Sequence, residues 1–151
     1  MEPADIPIVA AWMMTDSLWQ RYQLSEERIS ADFEAGLQRD DLLLVADADL
    51  PARAFAWCLP GGMFGAFPYL KRIGVDPGCS GQGLGSLLLD RLERELLDRQ
   101  RHDLFLLVSD FNLDAQRFYL RQGYQEIGRI PDLALPGIAE VLFRKQLTRL
   151  S

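Results

Sequence analysis

Histidine occurs once in the sequence, as His102, and cysteine twice, as Cys58 and Cys79. With no C-x-x-C spacing and no second histidine, neither a zinc site nor a disulfide framework can be assembled, and no metal is expected. Cys79 reads as a small, passive turn residue. No run approaches the roughly 18 apolar residues of a membrane span. The N-terminus lacks a basic region followed by an apolar core, so a cytoplasmic protein is expected, with no membrane partner. Basic residues are in the minority, 16 against 22 acidic ones, for a formal charge of −6. A phosphate backbone demands a basic face, which excludes nucleic acid as the main partner. A cationic or amine ligand is compatible with this balance.

What is present is an ordinary globular composition, 48% hydrophobic and 25% charged over 151 residues. That is long enough for one domain, residues 1–151, to bury a core unaided. No internal repeat, linker or low-complexity run interrupts it.

The most informative stretch runs from Leu70 to Ser86. Ile73 and Val75 alternate with small or polar neighbours as a strand requires, and Asp76-Pro77-Gly78 then stops both strand and helix. Beyond Gly85 the positions Leu84, Leu87, Leu88, Leu92 and Leu96 recur at three- and four-residue steps, one face of a helix. The helix therefore begins on glycines. Gly81, Gly83 and Gly85 let backbone N–H groups approach a ligand, and the first helical turn adds unpaired donors and the positive end of the helix dipole. Such a turn seats an anion, most often phosphate.

Two familiar phosphate loops fail here. Gly78 and Gly83 have the spacing of a nucleoside-triphosphate loop, but Leu84 stands where the lysine must be. A dinucleotide fingerprint in Gly81-Gln82-Gly83-Leu84-Gly85-Ser86 ends on serine instead of glycine or alanine.

A second block follows a buried strand, Leu104 to Val108: Asn112-Leu113-Asp114-Ala115-Gln116-Arg117-Phe118-Tyr119-Leu120-Arg121-Gln122-Gly123-Tyr124. The two blocks together resemble the GNAT superfamily of acyl-CoA-dependent N-acyltransferases. The first, Ser80-Gly81-Gln82-Gly83-Leu84-Gly85, is similar to the pyrophosphate loop [RQ]-x-x-G-x-[GA], with Ser80 in place of the arginine or glutamine. The second matches N-x-x-A-x-x-F-Y-x-x-x-G-[FY] throughout.

The resemblance implies an α/β (α+β) fold: a central mixed, mostly antiparallel sheet flanked by helices, its first strand short or missing, since only Met1 to Pro3 precede the first helix, unless the true start lies upstream of Met1. It implies an N-acetyltransferase using acetyl-CoA as co-substrate, acting on a primary amine of a small molecule or peptide, and it allows a homodimer. The pantetheine would pair with strand backbone at Ile73, Gly74 and Val75, and the pyrophosphate would sit on Ser80, Gly81, Gln82, Gly83, Leu84, Gly85 and Ser86. Asn112, Phe118 and Tyr119 would complete the cofactor set, Asn112 either holding cofactor through its amide or simply capping its loop. Tyr119 matches the tyrosine that protonates the departing thiolate; its alternative is a core tyrosine. Trp12, Trp19 and Tyr22 would form one wall of the acceptor pocket, or core. A second reading is a catalytically weak acyl-CoA-binding regulatory module.

The remaining elements follow from pattern. Ile8, Val9, Trp12, Met13, Trp19 and Tyr22 trace one helical face from Asp5 onward, and Ser25 caps a second helix carrying Ile29, Phe33 and Leu37. Leu42 to Ala46 and Ala52 to Leu59 read as an antiparallel pair, Pro60-Gly61-Gly62 as a turn, and Phe64 to Val75 as a third strand in which Gly74 marks a bulge or close backbone approach. Helix Gly83 to Arg99 makes the strand Leu104 to Val108 parallel to the one before. A helix from Asp114 to Gln122 and strands Tyr124 to Arg129 and Ile138 to Lys145 complete the chain. Amine attack also needs a proton acceptor. The third strand offers no carboxylate, leaving Asp76, Asp110 and Glu34 as candidates, or a water chain.

Overall fold

A computed structural model describes residues 1–148. In chain order it contains helices α1 (Ile6–Met13), α2 (Ser17–Arg21) and α3 (Glu26–Gln38), then strands β1 (Leu42–Ala46), β2 (Ala54–Met63) and β3 (Phe67–Val75). Helix α4 (Leu84–Asp98), strand β4 (Asp103–Ser109), helix α5 (Leu113–Arg121) and strands β5 (Gln125–Pro131) and β6 (Ala139–Gln146) follow. The six strands form one mixed sheet in the order β1-β2-β3-β4-β6-β5. The chain groups into two compact units, Met1–Cys58 with Arg72–Leu92, and Leu59–Lys71 with the chain from Glu93 onward. Among the described residues no helix is long and apolar enough to cross a membrane.

In the first unit, α1 packs on α3. Ser25 caps α3 as its sequence suggests, its Oγ accepting from the Arg28 N–H at 3.2 Å. The α3 rail of Ile29 and Phe33 is fully buried. Phe33 meets Phe55 edge-on at 5.1 Å and stacks on Trp57 at 5.1 Å. The first helix departs from expectation: its apolar face is broken between α1 and α2, where Asp16 leaves the helix and caps α2 through the Leu18 N–H. A carboxylate offered to unpaired N–H groups competes well with helix continuation. Before α1, Pro3–Asp5 forms a single 3-10 turn, and the Met1 amino group donates to the Leu43 carbonyl of β1 at 2.8 Å.

The β2–β3 connection also differs. Pro60-Gly61-Gly62 is strand, and the turn lies at Phe64-Gly65. Both residues have positive φ, 54° and 72°, and Ala66 N–H closes on the Met63 carbonyl at 3.1 Å. A two-residue loop of this kind matches the twist of paired strands. Pro60 is tolerated because β1 pairs only as far as Cys58, so its missing N–H breaks no bond to that neighbour. At Gly62 a Cβ would fall 2.8 Å from the Tyr69 Cβ, so this glycine admits close packing instead of a bend.

In the second unit, β3 and β4 run parallel, as the intervening helix requires, with Tyr69 opposite Phe105 and Leu70 opposite Leu106. The antiparallel β4–β6 ladder runs from Asp103↔Gln146 to Ser109↔Glu140. Its buried face carries Leu104, Leu106, Val108, Val141 and Phe143.

Gly36 in α3 tests how tightly the first unit is packed. A Cβ there would lie 2.7 Å from Trp57 Cζ2 and 3.2 Å from Asp41 Oδ2, the acceptor of the Trp57 indole N–H. Alanine in a helix is worth about 1 kcal/mol over glycine, whereas overpacking costs about 1–3 kcal/mol. Because the clash is with a ring held on both sides, Gly36→Ala is expected to lower stability by about 1–2 kcal/mol in urea denaturation; a stabilised variant would show that Trp57 can move.

Candidate active site

The glycine turn begins where Asp76 ends β3. Its N–H donates to the Arg53 carbonyl at 2.8 Å, its Oδ2 accepts from Arg53 Nη1 at 2.6 Å, and its Oδ1 accepts from the Gly78 N–H at 2.9 Å. Burial works against ionisation of this carboxyl, but the Gly78 bond and then Arg53 outweigh it and hold the pKa below the ordinary value. A 3-10 turn at Pro77–Cys79 follows, then exposed Ser80, Gly81, Gln82 and Gly83.

Gly81 and Gly83 have φ of 77° and 78°, and a Cβ at either would meet nothing within 4 Å. Glycine is required here by conformation, not by crowding. The Gly83 carbonyl accepts the Leu87 N–H at 3.0 Å, the first helical bond of α4, so the Leu84 and Gly85 N–H groups precede any intrahelical partner. Leu84 itself is buried and anchors the turn, while Gly85 and Ser86 are half-buried.

Residues far apart in the sequence come together in this unit. A Cβ on Gly74 would lie 2.8 Å from Phe55, 3.1 Å from Trp12 and 3.4 Å from Trp19. What approaches Gly74 is therefore three aromatic rings, not a neighbouring backbone. Trp12 and Trp19 both pack on Phe55, with centroids at 5.9 Å and 6.4 Å. The Trp12 indole N–H is spent on the Ala52 carbonyl at 2.9 Å. Trp19 is 8% exposed, and its indole N–H is buried with no acceptor. Buried donors are nearly always paired; among the described residues the exceptions are this indole N–H and the Arg53 Nε, both in this unit. Tyr22 is half-buried just after α2. Ile73 and Val75 flank Gly74 and are half-buried.

In the second unit, Asn112 caps α5, its Oδ1 accepting the Ala115 N–H at 3.2 Å. Gly123, with φ of 86°, closes the helix as expected. Tyr119 is 5% exposed on the inner side of α5. Its ring meets Phe118 at 5.2 Å and Tyr124 at 5.5 Å edge-on, and Phe143 at 6.2 Å. Burial, and secondarily the Tyr69 phenol, push its pKa well above the ordinary value, so the hydroxyl keeps its proton at neutral pH.

The carboxylates expected as proton acceptors lie in three different settings. Asp76 holds Arg53. Asp110 Oδ2 accepts from the Ala139 N–H at 3.1 Å. Glu34 is on the exposed side of α3. Sequence reasoning missed Arg53, whose role depends on a partner 23 residues away, and Glu140, a lone carboxylate inside the apolar run Ile138 to Phe143 that could have been noticed.

A mixed sheet with one parallel pair, a crossover helix headed by an open glycine turn, and a buried tyrosine on the next helix together define a GNAT-like N-acyltransferase fold. The family model described as the acetyltransferase (GNAT) family matches residues 10–124, and the chain belongs to that family. Comparison with curated proteins gives no match. Among solved structures, the ribosomal-protein-alanine N-acetyltransferase from Brucella melitensis is similar with a TM-score of 0.78 and 22% identity, over 97% of each chain. The aminoglycoside 6′-N-acetyltransferase from Enterococcus faecium gives a TM-score of 0.80 at 14% identity, over 99% of this chain and 94% of that one. An aminoglycoside 6′-N-acetyltransferase complexed with coenzyme A gives 0.78 at 14% identity, over 95% and 91%. At these identities the likeness is one of fold.

Asp76 yields a prediction with a defined sign. Its folded pKa lies below the unfolded value of about 3.9, so its contribution is present above that value and lost as pH falls through the folded pKa. Asp76→Asn is thus expected to lower the thermal midpoint at pH 7 and to converge with the wild type in increasingly acid buffer. A gap that persists unchanged at pH 2 would remove the carboxylate from the turn's support.

Proposed function

We propose that this protein moves an acetyl group from acetyl-CoA to a primary amine of a small molecule or peptide, by direct attack, with Tyr119 as general acid and the whole chain acting as one cytoplasmic catalytic domain. The observation that carries the reading is the glycine turn ahead of α4: it is exposed, it is open above Gly81 and Gly83, and the Leu84 and Gly85 N–H groups that follow it precede the first intrahelical bond. A diphosphate fits such donors, because each phosphate oxygen can take an N–H where no side chain intrudes. The stretch from Ser80 to Ser86 would hold it, Ser80 adding a hydroxyl where a longer side chain is usual.

Backbone at Ile73, Gly74 and Val75 would pair with the pantetheine, with the Val75 N–H polarising the thioester carbonyl. In support, the β3–β4 ladder as described consists of two residue pairs, ending at Leu70. Asn112 and Phe118 would complete the cofactor's surroundings, Asn112 with its amide nitrogen since the oxygen is used as the cap. For the acceptor, Trp19 supports a site beside Gly74: its unpaired indole N–H can donate to a substrate oxygen, while Trp12 and Tyr22 supply apolar wall.

The chemistry requires a protonated acid when the tetrahedral intermediate expels thiolate. Tyr119, with its pKa raised by burial, remains protonated across the neutral range and cannot persist as phenolate. It must give its proton as sulfur departs and regain one at once. A general acid contributes about 10²-fold or more. Tyr119→Phe is expected to cut turnover by about one to two orders of magnitude while acetyl-CoA affinity is kept; unchanged turnover in a free-thiol assay with an amine panel would discard the assignment.

Gly83→Asp is expected to abolish acetyl-CoA binding in calorimetry while circular dichroism stays native. Aspartate is itself a good helix N-cap, so the fold tolerates it at the cost of about 1–2 kcal/mol for positive φ, but its charge repels the pyrophosphate. Wild-type affinity in that variant would refute the loop. Ser80 favours the regulatory-module alternative to the extent that it loosens the diphosphate; acetyl-CoA binding without thiol release from the wild type would select that alternative.

A further inference from the structure

Glu140 lies at the start of β6, 6% exposed, directly across the ladder from Ser109 at the carboxyl end of β4. Ser109, 3% exposed, donates its hydroxyl to Glu140 Oε1 at 2.8 Å. The ion pairs among the described residues do not include Glu140, although burying a carboxylate without a cation is costly. Its charged neighbours on the flanking strand ends are committed: Asp110 to the Ala139 N–H, and Arg129 of β5 to Glu126 at 2.8 Å. A buried carboxyl group with no cationic side chain paired to it has room in its hydrogen bonding for a cation that arrives from outside.

Its position agrees with that role. Glu140 and Ser109 occupy one face of the β4–β6 ladder, while Leu106, Val108, Val141 and Phe143 occupy the other, since residues alternate along a strand. Tyr119 packs on Phe143, and so on the opposite face from Glu140. Helix α5, which carries Tyr119, is tied to the same strand end as Ser109. The Gln116 amide of α5 donates to the Ser109 and Asp110 carbonyls at 3.3 Å and 3.0 Å, and the Asp110 N–H donates to the Ala139 carbonyl at 2.8 Å. Ligands of α/β sheets gather beyond the carboxyl ends of strands, and acyl transfer needs one group at the entering nitrogen and another at the departing sulfur.

We propose that Glu140 binds the cationic acceptor amine and is the proton acceptor for its nitrogen, with Ser109 as the positioning residue that orients the carboxylate. The inference rests on the acetyltransferase reading above. The bound ammonium first loses one proton to solvent. The neutral nitrogen attacks the thioester carbon, forming the N–C bond and placing the carbonyl electrons on oxygen. The nitrogen, now positively charged, passes a second proton to Glu140. The C–S bond breaks as the oxygen electrons return, and the thiolate takes a proton from Tyr119. Glu140 then releases its proton to solvent and Tyr119 regains one, for a net release of one proton.

The test follows free-thiol release from acetyl-CoA with kanamycin, spermidine and an alanyl peptide as amines, from pH 5 to 10, for the wild type, Glu140→Gln and Glu140→Asp. Glu140→Gln keeps the Ser109 bond and is expected to lose about 10²-fold in kcat, to raise the amine KM, to leave the acetyl-CoA KM unchanged, and to flatten the acid limb of the kcat/KM profile. Glu140→Asp, shorter by one methylene, is expected to retain that limb at a kcat about tenfold lower, and it carries the test if the glutamine variant does not fold. A folded Glu140→Gln, or failing that Glu140→Asp, with wild-type kcat and profile overturns the proton-acceptor role while leaving the acetyltransferase intact. A wild type that releases no thiol with any of the amines overturns both.

Discussion

The carboxylate of Asp76 is the point at which strand β3 is tied to the glycine turn. One oxygen is bound by the Arg53 guanidinium and the other by the Gly78 N–H, while the backbone N–H holds the Arg53 carbonyl. Strand β3 therefore ends at a fixed place, and the chain turns there through Pro77 and into the glycines.

The same strand carries a second constraint one residue before Val75. Gly74 has no side chain because Phe55, Trp12 and Trp19 occupy the space. The aromatic cluster serves stability, as Phe33 and Trp57 continue it into the core. Yet it does not close on itself chemically, since the Trp19 indole N–H ends without an acceptor. The cluster is thus complete in packing, while one indole N–H beside the strand is left without an acceptor.

In the second unit the β4–β6 ladder separates two kinds of chemistry. On one face Tyr119 is enclosed by rings that keep it protonated. On the other, Ser109 and Glu140 place a polar pair at the end of two otherwise apolar runs. Period-two alternation makes this possible: a single carboxylate in an apolar run reverses the character of one face at one end and leaves the other face untouched.

Local chemistry explains how much could be read in advance. β1 spans Leu42–Ala46 as its apolar run suggests, and α3, α4, β4, α5 and β6 lie within a residue or so of their patterned positions, because periodicity, caps and glycine stops act over a few residues. The glycine turn and the Asn112 to Tyr124 block were legible for the same reason, each being contiguous. Reading failed where a local signal met a stronger competitor: Asp16 breaks the first helical face by capping α2, and Gly61-Gly62 marks close strand packing, with the bend displaced to Phe64-Gly65. The sequence by itself determined the elements, their order and the family. Only tertiary structure decided that Arg53 holds Asp76, that the tryptophans crowd Gly74, and that Glu140 lies buried against Ser109, since each joins side chains from segments far apart in the chain, and their meeting is settled by packing that no local pattern encodes.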